Sequence, residues 1–251
     1  MTAKAPARTK SRVADVISDR LIATVTRRLK AGKPVRRALP GAGRVAVDRQ
    51  LPFLIVYRRP VRAPDTGTEK FATSEAAYIV APGQKKHQPG VTRLTTAIAE
   101  SMVEEFGSFL ILEIWSGPPL AGDIQLTTAG LRPRFRFVAQ RGASQTSVTE
   151  AFEGALSRVR FDRRKSEVVT TSSVKCRPPG MAPVLTPEVA KSLGCQVYGL
   201  EISPMYRDPE TGEVFPRVLR LLRRSVTVAI RRALFEFSRS QTTHRPRHFH
   251  T

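Results

Sequence analysis

The stretch Val91–Trp115, VTRLTTAIAESMVEEFGSFLILEIW, decides the fold class of this chain. Its first part carries apolar side chains at four-residue spacing: Leu94, Ile98, Met102 and Phe106. This spacing predicts an amphipathic helix, and Gly107 is placed to end it, because glycine adopts the left-handed C-terminal conformation without steric cost. Phe109–Trp115 follows as a buried strand, since all but one of its residues are apolar. A helix that leads directly into a buried strand predicts a sheet with helices packed on it.

Hydrophobic spacing along the rest of the chain predicts further helices and strands, with connections of varied length. Helices are expected at Val13–Ala31, at Val148–Val159, from Thr186 onward and at Pro216–Ser240. Strands are expected at Arg44–Val47, Leu51–Tyr57, Arg132–Val138, Glu167–Val174 and Gln196–Ile202, while Phe71–Val80 fits either a strand or a helix. We therefore expect an α+β fold, with a mixed β-sheet, flanking helices and a long C-terminal amphipathic helix.

The domain organisation follows from these elements. Residues 1–12 are expected to form a disordered basic tail, residues 13–241 a single α+β domain, and residues 242–251 a second tail. The C-terminal helix, Pro216–Ser240, has an apolar stripe wide enough to face more than one neighbour. Because only a short tail follows it, we expect the domain to be incomplete and part of its packing partner to be missing.

The composition is strongly basic. The chain has 251 residues with 42 Lys and Arg against 21 Asp and Glu, which gives a formal net charge of +21 at pH 7. Such an excess favours polyanionic partners: nucleic acid, an anionic membrane surface or an acidic protein tail. No apolar run reaches the ~18–20 residues of a membrane span, and the N-terminus lacks the apolar core of a signal peptide. A cytoplasmic protein without a membrane partner is expected, and its two cysteines, Cys176 and Cys195, are expected to be reduced.

The sequence lacks the motifs of the common catalytic chemistries. Zinc hydrolysis on a helix needs a His-Glu-x-x-His arrangement, which does not occur among the four histidines His87, His244, His248 and His250. The glycines at positions 41 and 43 lack the lysine and hydroxyl residue of a phosphate-binding loop, and no serine has the context of a nucleophile elbow. No catalytic residue and no metal ligand is therefore assigned.

Two carboxylates stand out as candidate functional residues, Glu75 and Glu113. Glu113 interrupts an otherwise apolar strand, and a buried carboxylate requires a partner, which a basic side chain can supply. A structural ion pair is favoured over an active-site role, which stays open. The candidates for a structural ion pair or for substrate binding are Glu75, Glu113, Arg36, Arg37 and Arg58.

One strand bears on a nucleic-acid partner. Arg132–Val138 alternates arginine with phenylalanine, a composition also found in platforms for single-stranded nucleic acid. Period-two spacing, however, places the rings and the guanidinium groups on opposite faces, so an ordinary amphipathic strand is favoured. A nucleic-acid partner thus stays an alternative without motif support.

Several ordered strings point to a known family. They are GKPVRRALPG at 32–41, DRQLPFLIVYR at 48–58, Gly67-Thr68-Glu69, Ser74-Glu75-Ala76, Phe106-Gly107 running into Leu112-Glu113-Ile114-Trp115, RALFEF at 232–237 and Thr243-His244-Arg245-Pro246. Spread over about Val13–Thr251, these strings resemble the N-terminal part of the QEGLA-motif proteins, bacterial proteins often described as flavohemoglobin expression-modulating. The family is related to the microtubule-associated tyrosine carboxypeptidases, which are zinc metallopeptidases.

The resemblance implies a metallocarboxypeptidase-like protein, but one departure changes that expectation. The family's zinc helix and its Gln-Glu-Gly-Leu-Ala segment lie downstream of the region resembled here, and neither occurs in this sequence. We therefore expect an N-terminal portion that binds no zinc and is inactive alone. Its expected partners are the missing catalytic part and an acidic peptide tail. The alternatives are a self-contained basic module that binds a polyanion or nucleic acid, and an independent enzyme that uses Glu75 or Glu113.

Overall fold

The strands of this chain form a mixed sheet, and helices cover both of its faces. The computed structural model describes residues 17–48, 50–59, 77–82, 85–116, 134–139, 145–158, 160–161, 164–165, 167–171, 182–202, 220, 223–224, 227–236 and 239. The strands are β1 (Val35–Leu39), β2 (Gly43–Val47), β3 (Phe53–Arg58), β4 (Tyr78–Ala81), β5 (Phe109–Ser116), β6 (Arg134–Ala139), β7 (Arg160–Phe161), β8 (Arg164–Lys165), β9 (Glu167–Thr171) and β10 (Cys195–Ile202). The helices are α1 (Asp19–Lys30), α2 (Gln88–Phe106), α3 (Thr146–Leu156), α4 (Pro187–Ser192) and α5 (227–236), and a 3-10 turn, Lys85–His87, precedes α2.

The main sheet has eight strands in the order β1-β2-β4-β3-β5-β10-β6-β9, and β7 and β8 form a separate antiparallel pair. Strands β4, β3, β5 and β10 run parallel to one another at its centre. Antiparallel pairs extend it on both sides, β2 with β4 and β1 with β2 on one side and β6 with β10 on the other, and β9 runs parallel to β6.

The central strands are apolar on both faces because helices cover both. Every residue of β3 is buried. On one side, which we call the α2 face, sheet residues such as Leu54, Val56 and Ile111 pack with α1, α2 and α4. On the other side, the α3 face, residues such as Ile55 and Leu112 pack with α3 and α5. This two-sided burial is typical of parallel strands that helices connect.

Local signals fix the helix ends. The Ser18 hydroxyl accepts the Leu21 N–H at 3.3 Å and caps α1, and the Thr186 hydroxyl accepts the Val189 N–H at 3.4 Å and caps α4. Gly107 ends α2 with φ 77°, and its N–H donates to the Val103 carbonyl at 2.7 Å. This left-handed cap turns the chain directly into β5.

The predicted fold class is confirmed, because the chain has a mixed sheet with flanking helices. Element bounds differ in detail: α2 begins at Gln88 rather than Val91, since Pro89 is tolerated in a first helical turn, and α3 ends at Leu156 rather than Val159. Strand β1 was not predicted, since its middle residues lack the alternation of a half-buried strand. The ambiguous segment Phe71–Val80 ends in a strand, β4, and its residues before 77 lie outside the described residues.

Some predictions concern residues that lie wholly or partly outside the described ones. Both tails and the start of the first predicted helix lie outside them, so the domain bounds of 13–241 stay a prediction. In the predicted C-terminal helix, the described residues are helical, and Ala229, Ile230 and Ala233 are buried on the α3 face. Val228 and Phe235, which widen its apolar stripe, are 38% and 61% exposed. Among the described helices, none has both the length and the apolarity that a bilayer crossing requires.

Candidate anion-binding groove and the buried pair beside it

A groove lined by arginines lies at the β1 end of the sheet. It encloses about 590 Å³. Its charged and aromatic lining comes from β1, β2, the residue after β3 and the start of β4: Arg36, Arg37, Arg44, Arg59 and Tyr78. These five residues define what we call the arginine groove. Its described lining contains four arginines and no carboxylate.

The register of the β1–β2 hairpin brings the arginines together. Arg36 pairs with Ala46, and Ala38 pairs with Arg44. Paired residues on adjacent strands point to the same face, so Arg36 and Arg44 share one face and each has a small neighbour across the strand. The alternate residues of β1, such as Val35, are buried on the α2 face instead. Arg36 and Arg44 are therefore held on a part of the sheet whose other face is anchored in the core, whereas Arg37 alternates to the face of Val35.

The hairpin turn positions a further arginine. The Gly43 N–H donates to the Pro40 carbonyl at 3.2 Å, and the two residues between them have positive φ, 61° for Gly41 and 59° for Ala42. This is the turn geometry that matches the twist of two hairpin strands. Arg59 Nη1 donates to the Gly41 carbonyl oxygen at 3.4 Å. The turn thus ties the end of β3 to the hairpin and holds Arg59 at the groove.

The chemistry of the groove is that of anion recognition. A guanidinium group stays charged at all ordinary pH values and offers paired N–H donors that match carboxylate and phosphate oxygens. Such charge-assisted hydrogen bonds are about twice as strong as those between neutral groups. Arg36, Arg37 and Arg44 are exposed, so an anion can reach them from solvent.

Immediately beside the groove, Arg58 forms a buried ion pair with Glu113. Arg58 Nη1 lies 3.1 Å from Glu113 Oε1, and the two residues are 1% and 0% exposed. The pair joins adjacent parallel strands: Val56 pairs with Glu113 and Arg58 pairs with Trp115, so both side chains lie on the α2 face. The positive charge that balances the buried carboxylate in the middle of β5 thus comes from the end of β3.

Two further hydrogen bonds extend this pair to other parts of the chain. The Val184 N–H donates to Glu113 Oε1 at 2.8 Å, and Arg58 Nη2 donates to Gln88 Oε1 at the start of α2. The network therefore joins β3, β5, α2 and the segment that leads into α4. Arg58 and Glu113 are sealed from solvent, so their side chains cannot contact a dissolved ligand directly, whereas Gln88 is partly exposed. The role of the network here is to fix the end of β3, where Arg59 enters the groove.

Other buried polar groups do not offer a reactive nucleophile. Burial raises the pKa of the Cys195 thiol to about 12, so the thiol stays protonated at neutral pH. Burial also raises the pKa of Tyr198, whose hydroxyl accepts the Gln145 N–H and donates to Gln196 Oε1, both at 2.9 Å. Tyr198 stacks on Phe137 with ring centroids 5.6 Å apart, so its environment is that of a structural core residue.

The structure separates the sequence-based candidates into two groups. Arg58 and Glu113 meet in the buried pair, whereas Arg36 and Arg37 line the groove. Glu75 lies outside the described residues. Any substrate role of these five residues stays a prediction.

Sequence reasoning missed three groove residues, Arg44, Arg59 and Tyr78. Turn residues at 40–43 between two strand-like segments were the available signal for a hairpin, and a hairpin would have placed Arg36 near Arg44. No comparable signal exists for Tyr78. It reaches the groove only because β4, although later in the chain, pairs with β2.

The zinc ion that the family resemblance implies finds no ligand set in the described part of the chain. No three His, Cys, Asp or Glu side chains there lie close enough together to hold a metal ion. His87 is 1% exposed and is placed beside the hairpin turn, with Nε2 3.8 Å from the position that a Cβ at Gly41 would occupy. The other histidines lie outside the described residues. The described residues thus do not fit a zinc centre, and no chemical step is derived through one.

Comparison with known proteins finds weak structural similarity but no match in sequence. No protein-family model matches the chain, and no curated protein matches it. N-formylglutamate amidohydrolase from Ralstonia eutropha JMP134 is a weak structural neighbour, with 18% identity, a TM-score of 0.40 and coverage of 62% of this chain and 54% of that chain. A cytosol aminopeptidase from Coxiella burnetii has 10% identity, a TM-score of 0.29 and coverage of 83% and 64%. The chain therefore spans less than two thirds of the length of either structure.

Proposed function

We propose that this chain is the substrate-binding N-terminal portion of a carboxypeptidase-like hydrolase of the QEGLA type, and that the arginine groove binds an anionic substrate. The family strings at 32–41 and 48–58 support the hydrolase type. The first of these strings contains Arg36 and Arg37, and the second leads directly into Arg59. The resemblance and the groove therefore concern the same part of the chain.

The observation that carries the proposal is the charge of the groove. Four arginines, two from β1, one from β2 and one directly after β3, line one concavity of about 590 Å³, with no carboxylate among its described lining. Arginine side chains grouped around one concavity favour an anionic ligand, because their positive charges attract it. The ligand that fits this lining carries several negative charges, as a peptide tail rich in Asp and Glu does.

Within this proposal the residues have different tasks. Arg36, Arg37 and Arg44 contact the anionic groups of the ligand, since they are exposed. The buried Arg58–Glu113 pair positions Arg59 through the backbone and does not touch the ligand. No residue of the described chain is assigned a catalytic step, so the proposal concerns binding and not turnover.

Fluorescence anisotropy with a labelled Glu-rich peptide tests the proposal. The double variant Arg36→Gln/Arg44→Gln removes two contacts of exposed charges, and we expect it to weaken binding by about tenfold, since an exposed ion pair contributes up to about 1 kcal/mol. Arg20→Gln/Arg27→Gln, at two exposed positions on α1, is the matched control for the loss of two charges away from the groove. Equal affinities of the groove variant and the control would show that the peptide does not use the groove.

A second candidate function is a basic module that binds nucleic acid. The net charge of +21 favours it. A labelled single-stranded oligonucleotide should then bind with an affinity that falls steeply with salt, with a log–log slope of several units. Competition between this oligonucleotide and the acidic peptide decides between the two ligands. If the oligonucleotide binds far more tightly at physiological salt and displaces the peptide, nucleic acid is the ligand of the groove.

A further inference from the structure

The strand that carries two of the groove arginines, β1, is also an edge of the sheet. Among the described residues β1 pairs with β2 alone, through the register Val35↔Val47 to Leu39↔Gly43. An edge strand presents N–H and C=O groups that point away from the sheet, and another extended chain can bind them. The edge and the arginine groove are therefore parts of one surface.

The burial pattern of β1 shows that the middle of this strand is accessible from both faces. Val35 and Leu39 are 0% and 5% exposed and anchor its two ends on the α2 face. The three residues between them, Arg36, Arg37 and Ala38, are all exposed, although alternate residues of a strand point to opposite faces. An incoming strand thus meets no described helix over the middle of β1.

The charge of this edge selects its partner. If a second copy of this chain paired through β1, arginines would face arginines, and like charges opposite one another across strands are destabilising. A strand with acidic residues opposite Arg36 and Arg37 would instead gain a cross-strand ion pair on each face. Edge charges of this kind commonly prevent self-association, and here the same charges favour an acidic partner.

We propose that an extended acidic peptide segment binds this chain by strand addition to β1, as a ninth strand of the main sheet. The acidic character of the ligand rests on the proposed function of the arginine groove, whereas the mode of binding rests on the edge position of β1. Backbone hydrogen bonds to β1 supply part of the affinity, and acidic side chains next to Arg36 and Arg37 supply the selectivity. Ala38, which is small, leaves room for a larger side chain of the added strand.

Backbone N-methylation of the peptide tests this mode. In strand addition, alternate peptide N–H groups point toward β1 and the others point to solvent. Two labelled peptides of identical acidic sequence are compared, one N-methylated at its odd positions and the other at its even positions. We expect one of them to bind at least tenfold more weakly than the unmethylated peptide, and the other to bind within about threefold of it.

The outcomes separate the binding mode from the proposed function. If the unmethylated peptide binds and both methylated peptides bind equally well, strand addition is wrong and the groove binds its ligand through charge alone. If both methylated peptides lose binding equally, the peptide does not lie as a strand along one edge, and the inference also fails. If the acidic peptide does not bind in any form, the proposed function itself is wrong. The variant Arg36→Gln/Arg37→Gln should weaken binding of the unmethylated peptide by about tenfold relative to the control Arg20→Gln/Arg27→Gln.

Discussion

The indole ring of Trp115 lies directly over Gly199 on the neighbouring strand. A Cβ atom added at Gly199 would sit 2.5 Å from Cη2 of this ring, which is closer than real Cβ contacts allow. Gly199 pairs with Glu113 in the β5–β10 register, so the ring of Trp115 and the buried ion pair occupy the same face of the sheet. The absence of a side chain at position 199 therefore leaves the space that the fully buried ring of Trp115 occupies.

This contact predicts that Gly199→Ala destabilises the protein by about 1–3 kcal/mol, the usual cost of overpacking a core. Gly154→Ala is the matched control, because a Cβ at Gly154 meets no atom within 4 Å and alanine is favoured inside a helix by roughly 0.5–1 kcal/mol. Urea unfolding followed by circular dichroism measures both effects. A Gly199→Ala variant as stable as the original chain would mean that Trp115 does not occupy this position in solution.

The buried ion pair predicts that removing a buried charge destabilises the protein far more than removing an exposed charge does. Glu113→Gln leaves the guanidinium of Arg58 buried without its counter-charge, which costs about 3–5 kcal/mol. Asp19→Asn removes the partner of Arg93 in an exposed pair and should cost less than about 1 kcal/mol.

The double variant Arg58→Met/Glu113→Leu tests whether the loss in Glu113→Gln comes from the stranded charge. It removes both charges together and should recover much of the stability that Glu113→Gln loses. Chemical denaturation of all four proteins gives the comparison. If the double variant is less stable than Glu113→Gln, the hydrogen bonds of the pair matter more than its charges.

The pKa of the Cys195 thiol predicts how stability changes at alkaline pH. Burial raises this pKa from 9.0 to about 12, so the folded chain holds the thiol proton more tightly than the unfolded chain does. The corresponding stabilisation is complete below about pH 9 and is lost as the pH rises through about 12. Denaturation midpoints between pH 8 and pH 11 should fall less steeply in Cys195→Ala than in the original chain. At pH 8, Cys195 should react with a thiol reagent only after unfolding.

The hairpin turn predicts one stabilising substitution. Ala42 has φ 59°, in a region that costs a residue with a side chain roughly 1–2 kcal/mol. Glycine avoids this cost, but its greater freedom in the unfolded chain offsets part of the benefit. Ala42→Gly should therefore stabilise the protein by up to about 1 kcal/mol. Ala38→Gly, at a position without positive φ, should destabilise by roughly 0.5–1 kcal/mol. Thermal unfolding distinguishes the two, and equal shifts would contradict the turn geometry.

The sequence allowed the centre of the fold to be predicted, but not its edges. Phe109–Trp115 and the helix before it have strong apolar patterns, because helices bury β5 on both faces. The need of Glu113 for a basic partner also followed from burial alone. Arg58 was one of three candidate arginines, and the choice among them could not be made because it depends on β3 and β5 pairing with Val56 opposite Glu113. Register is set by packing across the whole sheet and leaves no local trace in either strand.

The groove was harder to predict for the same reason. Arg36 and Arg37 were recognised only as basic residues within a family string, since a solvent-exposed edge strand has no apolar alternation. Arg44 meets them through the hairpin register, and Tyr78 through the pairing of β4 with β2. Neither relationship is encoded in spacing along the chain.

The strand order also sets the sequence of events during synthesis on the ribosome. Strand β5 pairs with β3 on one side and with β10 on the other, yet β10 is the last of the described strands of the sheet to be made. From Ser116 to Cys195, translation takes on the order of 4–16 s at about 5–20 residues per second. During this time the nascent chain holds an apolar strand with one unsatisfied edge, next to a part of the sheet that can already assemble. Because unpaired strand edges favour aggregation, we expect the nascent chain to be most prone to aggregate in the interval before β10 emerges.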